Sequence, residues 1–439
     1  MAPWGPPPMN RRDIETRQLR ALNRLIADVA NGNPFYGPRL ERAGLAGGAD
    51  SLARFRAAMP FTTKAELVED QSRHRPWGTC LTYPLERYTR YSQTSGTTGE
   101  PLRWLDTQES WSAMVDCWVT VLRESGVTSS DRIFFAFSFG PFLGFWTAFE
   151  AGVRLGCLCL PGGGMSNAAR ARAIVDNGAT VLCCTPTYAI RLGEAAAEEG
   201  VRLAGCAVRR VIVAGEPGGG IPATRRRIEE LWPGALVKDH HGMTEIGPVT
   251  FECPARSGVL HVIEEAYLPE VVDPASGEPV PPGSRGELVL TSLLRVGSPL
   301  LRYRTGDLVE PARQEVCACG RADLALEGGI LGRTDDMLVV RGVNVHPAAV
   351  EAIVRGFTDV AEYRATVDLR RTLPELSLEV EPTAACADPQ ALAHAVESAL
   401  RAAMNLRIPV AAVPRGALPR FELKARRWVR VSPREDGRG

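Results

Sequence analysis

Hydroxyl and glycine residues crowd the segment Thr94-Ser95-Gly96-Thr97-Thr98-Gly99, which follows strand-like text and precedes Glu100-Pro101. Glycine lets the backbone turn its N–H groups inward, and Ser and Thr hydroxyls add donors, so such a segment can cradle phosphate oxygens. Taken alone it reads as easily as a flexible polar loop. It has ordered company, however. Val213-Ala214-Gly215-Glu216-Pro217 follows, then His240-His241-Gly242-Met243-Thr244-Glu245-Ile246-Gly247, then Tyr303-Arg304-Thr305-Gly306-Asp307. Gly332-Arg333-Thr334-Asp335-Asp336-Met337, Arg341-Gly342-Val343-Asn344 and finally Pro419-Arg420 with Lys424 complete the series. Aromatic residues are also concentrated: of 13 Phe in the chain, Phe134, Phe135, Phe137, Phe139, Phe142 and Phe145 fall beside Trp146, broken by Gly140, Pro141 and Gly144.

The elements that must position these residues are legible in outline. Leu19, Leu22, Leu25, Ile26 and Val29 recur at helical spacing and predict an amphipathic helix over 11–32. Short apolar runs at 131–137, 156–160, 180–184 and 211–214 alternate with helical patterns such as 167–177 and 188–199, which predicts α/β layers on a largely parallel sheet. From about residue 248 the text changes to antiparallel-strand runs, such as 286–291 between Pro281-Pro282-Gly283 and Gly297. A second break at 331–336 precedes a βαβ-like stretch of roughly a hundred residues, the size of a small domain. The charged tail after Trp428 is expected to fray.

A length of 439 residues exceeds one ordinary core. Lys plus Arg and Asp plus Glu both total 51, a balance that argues against a nucleic-acid partner. No run approaches a membrane span and no signal peptide is visible. Eleven Cys without an export signal read as free thiols in a reducing cytoplasm, with Cys157, Cys159, Cys183 and Cys184 as small core residues.

The ordered motifs resemble the adenylate-forming superfamily of acyl-CoA synthetases, adenylation domains and luciferases, over nearly the whole chain. The short length and the phrases Asp335-Asp336-Met337-Leu338 and Arg341-Gly342-Val343-Asn344-Val345-His346-Pro347 look like the phenylacetate–CoA ligase branch. The resemblance implies an α/β fold: a large N-terminal layered α/β domain with a β-rich subregion, residues 1–333, and a small mobile C-terminal α+β domain, residues 334–439, turning at a hinge near Asp335. It implies that a carboxylic acid and Mg·ATP give acyl-AMP and pyrophosphate, and that a coenzyme A thiol then displaces AMP. Thr94, Ser95, Gly96, Thr97, Thr98 and Gly99 would hold the β and γ phosphates, Thr244 the α-phosphate, and Glu245 the Mg²⁺. The alternative for Thr244-Glu245 is a helix start. Gly215, Glu216, Pro217, His241, Gly242 and Met243 would line the nucleotide base. Asp307 would accept from the ribose hydroxyls beside Arg333. Lys424 would neutralise charge developing between carboxylate and α-phosphate, and rotation at Asp335 would exchange it for Arg341 and Gly342 beside the thiol.

In the family the aromatic segment lines the acid pocket, so Phe139, Gly140, Phe142 and Trp146 are candidates for an aryl or arylacetic substrate. Cys253, His261, Cys317 and Cys319 offer the soft thiolates and imidazole of a tetrahedral Zn²⁺ site, similar to a structural zinc in some members of the branch; the alternative is free thiols and a surface His. The chain departs from the family pattern at Glu100, where Lys is common, at His241, where Tyr is usual, and at Leu423, where Gly precedes the lysine. Partners are a small carboxylic acid and the thiol of CoA or a carrier protein, with room for a homodimer. Two competing readings stand beside this one: an adenylating enzyme that loads a carrier protein or an amine, and a non-catalytic nucleotide-binding homologue.

Overall fold

The computed structural model describes residues 9–94, 101–334, 338–340, 343–370, 374–421 and 425–431. Ser95, Gly96, Thr97, Thr98, Gly99, Glu100, Asp335, Arg341, Gly342 and Lys424 lie outside the described residues.

The first helix spans Arg11–Gly32, with the Asn10 side chain accepting from the Asp13 N–H at its start. Leu22, Leu25, Ile26 and Val29 are buried along one face, as their spacing predicts. The strand–helix alternation folds into a five-stranded parallel sheet in the order Leu158–Pro161, Arg132–Phe135, Val181–Cys184, Arg210–Val213, Leu236–Asp239. Side chains alternate across it: Ile133 and Phe135 join the larger core with helices Gln108–Glu124 and Leu143–Leu155, while Phe134 joins a second core with helices Asn167–Asp176, Pro186–Glu198 and Pro222–Leu231. The winding therefore reverses between strands Arg132–Phe135 and Val181–Cys184. The crevice beyond the carboxyl ends of such a strand pair is where open α/β sheets hold ligands.

The β-rich subregion is a four-stranded antiparallel sheet ordered Tyr267–Val272, Gly286–Ser292, Tyr303–Val309, Gly332–Arg333, beside a three-stranded sheet of Thr250–Glu252, Leu260–Val262 and Ala325–Leu326. Residues beyond 337 build a separate apolar core, including Val340, Val350, Tyr363, Val380 and Val396. Its sheet runs Val410–Ala412, Glu375–Pro382, Val360–Asp368, Trp428–Val431, with helices Pro347–Val354 and Pro389–Met404. Fraying directly after Trp428 is not what the structure shows. Trp428–Val431 pairs in parallel with residues 365–368, and Trp428 packs on the small core, so the last described residues are held by a ladder and by apolar burial. Cys157, Cys183 and Cys184 are buried and Cys159 partly so, as core residues. Among the described residues no helix is long and apolar enough to cross a membrane.

Candidate active site

Strands Tyr88–Gln93 and Arg103–Thr107 pair antiparallel and bracket the hydroxyl-rich segment. Thr94 closes its neck: the Leu102 N–H donates to Thr94 Oγ1 at 3.0 Å, and the Thr94 N–H donates to the Leu102 carbonyl at 3.0 Å. One residue earlier, the Gln93 N–H donates to the Pro141 carbonyl at 2.9 Å. That bond ties the neck to the aromatic loop 136–142, at the carboxyl end of strand Arg132–Phe135 where the winding reverses.

Thr244 and Glu245 form the turn of a small hairpin, Gly242–Met243 with Gly247–Pro248, and do not start a helix. The turn is held from behind. Arg295 Nη1 donates to the Thr244 carbonyl at 2.8 Å and to the Glu245 carbonyl at 2.9 Å. Asp106, on the strand that brackets the hydroxyl-rich segment, grips the same guanidinium at 2.7 Å through each oxygen. The two side chains are 2% and 0% exposed, so this is a fully buried bidentate pair. In front of the turn, Lys64 Nζ lies 3.4 Å from Glu245 Oε1. Lys64 begins helix Lys64–Arg73 behind a reciprocal Thr63–Glu66 capping box. Thr62 fixes that helix start: its N–H donates to the Arg302 carbonyl at 3.0 Å, and its carbonyl accepts from the Arg304 N–H at 2.9 Å. Lys64, Asp106 and Arg295 were not singled out from the sequence. The capping box is readable there, but what Lys64 reaches is set by distant strands.

Asp307 and Arg333 face each other across adjacent strands, and Arg333 Nη1 donates to Asp307 Oδ1 at 3.0 Å. His241 Nε2 lies 2.9 Å from Asp307 Oδ2, while His241 Nδ1 is buried with no protein partner. Both Asp307 oxygens are engaged within the protein, which joins the His241 ring to the Asp307–Arg333 pair. The strand Tyr303–Val309 is irregular just before Asp307 and favours glycine there: Gly306 has φ +77°, and a Cβ there would meet Arg333 Nη2 at 2.8 Å. His240 points into the core, its Nδ1 2.6 Å from the Thr250 carbonyl and its ring 4.3 Å from Trp118; burial pulls its pKa down to about 3. Beside it Asp239 is pushed up to about 6 by burial and by the Glu252 charge.

In the segment after strand Arg210–Val213, Gly215 and Pro217 are exposed. The Glu216 carboxylate accepts from the Thr187 N–H at 2.9 Å through one oxygen and from the Ala425 N–H at 2.8 Å through the other. Gly242 and Met243 are half-buried at the hairpin.

The aromatic cluster divides by depth. Phe134, Phe135 and Phe137 are core residues, and Phe137 stacks on Phe145 with centroids 4.0 Å apart. Phe139, Phe142 and Trp146 lie at the strand's open end: Phe139 meets Trp146 edge-on at 5.1 Å, Trp146 Nε1 donates to the Gly140 carbonyl at 3.0 Å, and Trp146 stays 43% exposed. Phe139 holds φ +49°, a conformation that costs a bulky residue energy and that concentrates at ligand sites.

Cys253, His261, Cys317 and Cys319 come together with their ligand atoms all within 4.8 Å of one another. Cys253 Sγ is 3.7 Å from Cys317 Sγ, and Cys319 Sγ is 3.5 Å from His261 Nε2. Two sulfurs about 2.3 Å from a tetrahedral ion sit about 3.8 Å apart, and a sulfur and an imidazole nitrogen somewhat closer, so the donor set fits Zn²⁺. His261 Nδ1 faces the Asp323 carbonyl at 3.2 Å, leaving Nε2 as the ligand atom. Burial pulls the His261 pKa down to about 4, which keeps that lone pair unprotonated at neutral pH.

A doubly wound parallel sheet with a separate small C-terminal lobe, a buried turn carboxylate and an Asp–Arg–His network suits a nucleotide-dependent enzyme. Residues 92–293 match the AMP-binding enzyme family and residues 342–430 the AMP-binding enzyme C-terminal domain. The chain is 35% identical to the phenylacetate–coenzyme A ligase of Thermus thermophilus over 84% of this chain and 82% of that one, and 29% identical to the Escherichia coli ligase over 94% of each. A 2-hydroxyisobutyryl-CoA ligase in its postadenylation state superposes with a TM-score of 0.90 at 27% identity, covering 98% of this chain and 91% of that one. In its thioesterification state, with 2-HIB-AMP and CoA, the TM-score is 0.72 at 28% identity, over 97% and 91%. The chain belongs to the phenylacetate–CoA ligase-like branch of the adenylate-forming superfamily, whose members are AMP-forming carbon–sulfur ligases.

Proposed function

We propose that the chain activates a small aryl or arylacetic acid with ATP and passes the acyl group to coenzyme A. The observation that carries this reading is that one strand pair is bonded to both other parts: Gln93, beside the Thr94 neck, to Pro141 of the aromatic loop, and Asp106 through Arg295 to the Thr244-Glu245 turn.

Adenylation needs the carboxylate in line behind the α-phosphorus, with charge neutralised on both sides of it. The acid's ring packs among Phe139, Phe142 and Trp146, which directs its carboxylate toward the hairpin turn. Residues 94–99 hold the β and γ phosphates, and Thr244 donates to the α-phosphate. Glu245, buried and paired with Lys64, would offer a carboxylate oxygen to Mg²⁺, a hard cation that would neutralise phosphate charge when bound. Lys64 adds the positive charge that Glu100 takes away from the phosphate loop. Asp307, Arg333 and His241 hold the ribose side, and Gly215 and Pro217 line the base. Lys424 neutralises the charge that develops as the carboxylate attacks.

In the second step, rotation near Asp335 of the unit 334–439 against 1–333 brings Arg341 and Gly342 to the thiol. The higher overlap with the postadenylation state supports an arrangement made for the first step. Cys253, His261, Cys317 and Cys319 would hold a structural Zn²⁺, whose four protein ligands would leave it a folding role rather than a chemical one. It clamps the strand that follows the Thr244-Glu245 hairpin.

The test is a pyrophosphate-release panel of aliphatic, aryl and arylacetic acids. It is followed by mass spectrometry of products formed with CoA, with a carrier protein and with neither. Acyl-CoA from an aryl or arylacetic acid is the expected result. Product only on the carrier protein or an amine would move the chain to the biosynthetic alternative, and ATP binding without pyrophosphate release would remove the activity altogether.

A further inference from the structure

One carboxylate bonds across the two lobes to Ala425, the residue after the proposed catalytic lysine in sequence. Glu216 lies in the segment just after strand Arg210–Val213 of the large sheet. Its Oε1 accepts from the Thr187 N–H in the first turn of helix Pro186–Glu198, and its Oε2 accepts from the Ala425 N–H of the small lobe. The helix end suits it, because the unpaired N–H groups of a first turn favour a negative charge. Ala425 immediately follows Lys424 in sequence. Two residues further, Arg427 makes a second tie across the same seam. Its Nη2 donates to Thr187 Oγ1 at 3.3 Å, while Nε and Nη1 remain with Glu362 and Glu351 at 2.6 and 3.3 Å. Thr187 thus meets Glu216 through its backbone and Arg427 through its hydroxyl.

We infer that Glu216 is a positioning residue that latches the segment starting at Ala425, directly after Lys424 in sequence, onto the large domain for adenylation and must let go before thioester formation. A side chain in the Gly215-Glu216-Pro217 strip that only lined the base would need no partner in the other lobe. The Ala425 bond can exist only while the small lobe sits in this arrangement, the one that overlaps the related ligase at 0.90 after adenylation and at 0.72 during thioesterification. The inference rests on the reading of Lys424 given above.

The test uses the whole protein and the variants Glu216→Ala, Glu216→Gln and Lys424→Ala. Hydrogen–deuterium exchange is followed in peptides covering 186–198 and 425–431. Two half-reactions are measured with phenylacetate and its acyl-adenylate: acid-dependent ATP–pyrophosphate exchange, and CoA-dependent AMP release. In Glu216→Ala, faster amide exchange in both peptides is expected. ATP–pyrophosphate exchange should fall roughly ten- to a hundredfold, the scale of a lost charge-assisted hydrogen bond, while AMP release changes less than about twofold. Glu216→Gln keeps the shape and carries the test if the alanine variant does not accumulate; it should show the same split with a smaller fall. In a Lys424→Ala background Glu216→Ala should cost nothing more, because it acts through that lysine. Unchanged amide exchange, equal loss of both half-reactions, additive losses, or a raised KM for ATP at constant kcat would each overturn the latch. Full ATP–pyrophosphate exchange in Lys424→Ala would instead sink the lysine's role, and the amide exchange would still judge the latch.

Discussion

Cutting the buried Asp106–Arg295 pair should damage both stability and the first chemical step, and the two losses can be separated. Asp106→Ala takes the carboxylate from a guanidinium that is only 2% exposed in the intact pair. Removing one partner of a buried ion pair typically costs about 3–5 kcal/mol. An unfolding entropy of about 2.1 cal/mol/K per residue over a cooperative unit of roughly 330 residues gives about 0.7 kcal/mol/K, so the melting temperature should drop about 4–7 °C. Asp106→Leu with Arg295→Met replaces the pair by apolar groups of similar volume, and such exchanges are often neutral or stabilising. That double variant should recover most of the melting temperature. It should not recover acid-dependent ATP–pyrophosphate exchange, because the Thr244 and Glu245 carbonyls lose the donor that orients their turn. A loss of about ten- to a hundredfold in exchange is expected from a turn left unheld. Differential scanning fluorimetry and the exchange assay, run on the same preparations, read the two quantities. If the double variant regains both stability and full exchange, the pair is mere core filling and the positioning argument fails.

Lys424→Ala should lose most acyl-adenylate formation while AMP release from supplied acyl-adenylate persists; equal damage to both steps, measured separately, would remove the role. Protein purified without added zinc should carry the metal in stoichiometric amount by mass spectrometric metal analysis. Cys317→Ser should release that metal and lower the melting temperature without altering the ratio of the two half-reactions. The pKa of His240 falls from its ordinary 6.5 to about 3 on folding, so the unfolded chain binds more protons between those values. Stability should therefore be complete above pH 6.5 and fall by about 1.4 kcal/mol per pH unit as the pH drops below it. Denaturant melts of His240→Gln should show a flatter slope between pH 6.5 and 4, and an identical slope would show that other groups set the acid limit.

What the sequence makes legible is local or ordered along the chain. The helix at Arg11–Gly32 follows from period and cap, and the alternation that built the parallel sheet from its apolar runs, because both are short-range consequences of side-chain type. Cys253, His261, Cys317 and Cys319 could be grouped because metal donors are few and chemically distinctive. Lys64, Asp106 and Arg295 could not be found in that way. Charged residues are common, and what makes these special is a partner brought by another strand or helix. Arg295 finds Asp106 only once the connection after strand Gly286–Ser292 lies behind the hairpin turn, and Lys64 finds Glu245 only because Thr62 is bonded to the strand that carries Asp307. Glu216 shows the same limit from the other side: its motif was readable, yet its side chain is engaged by Thr187 and Ala425 across the seam between the lobes. The motif residues name the chemistry, then, while residues outside the motifs fix where it happens. Among the described residues Glu216 and Arg427 each carry a hydrogen bond across that seam, and bonds of this kind can break and re-form, as the proposed rotation of the small lobe needs.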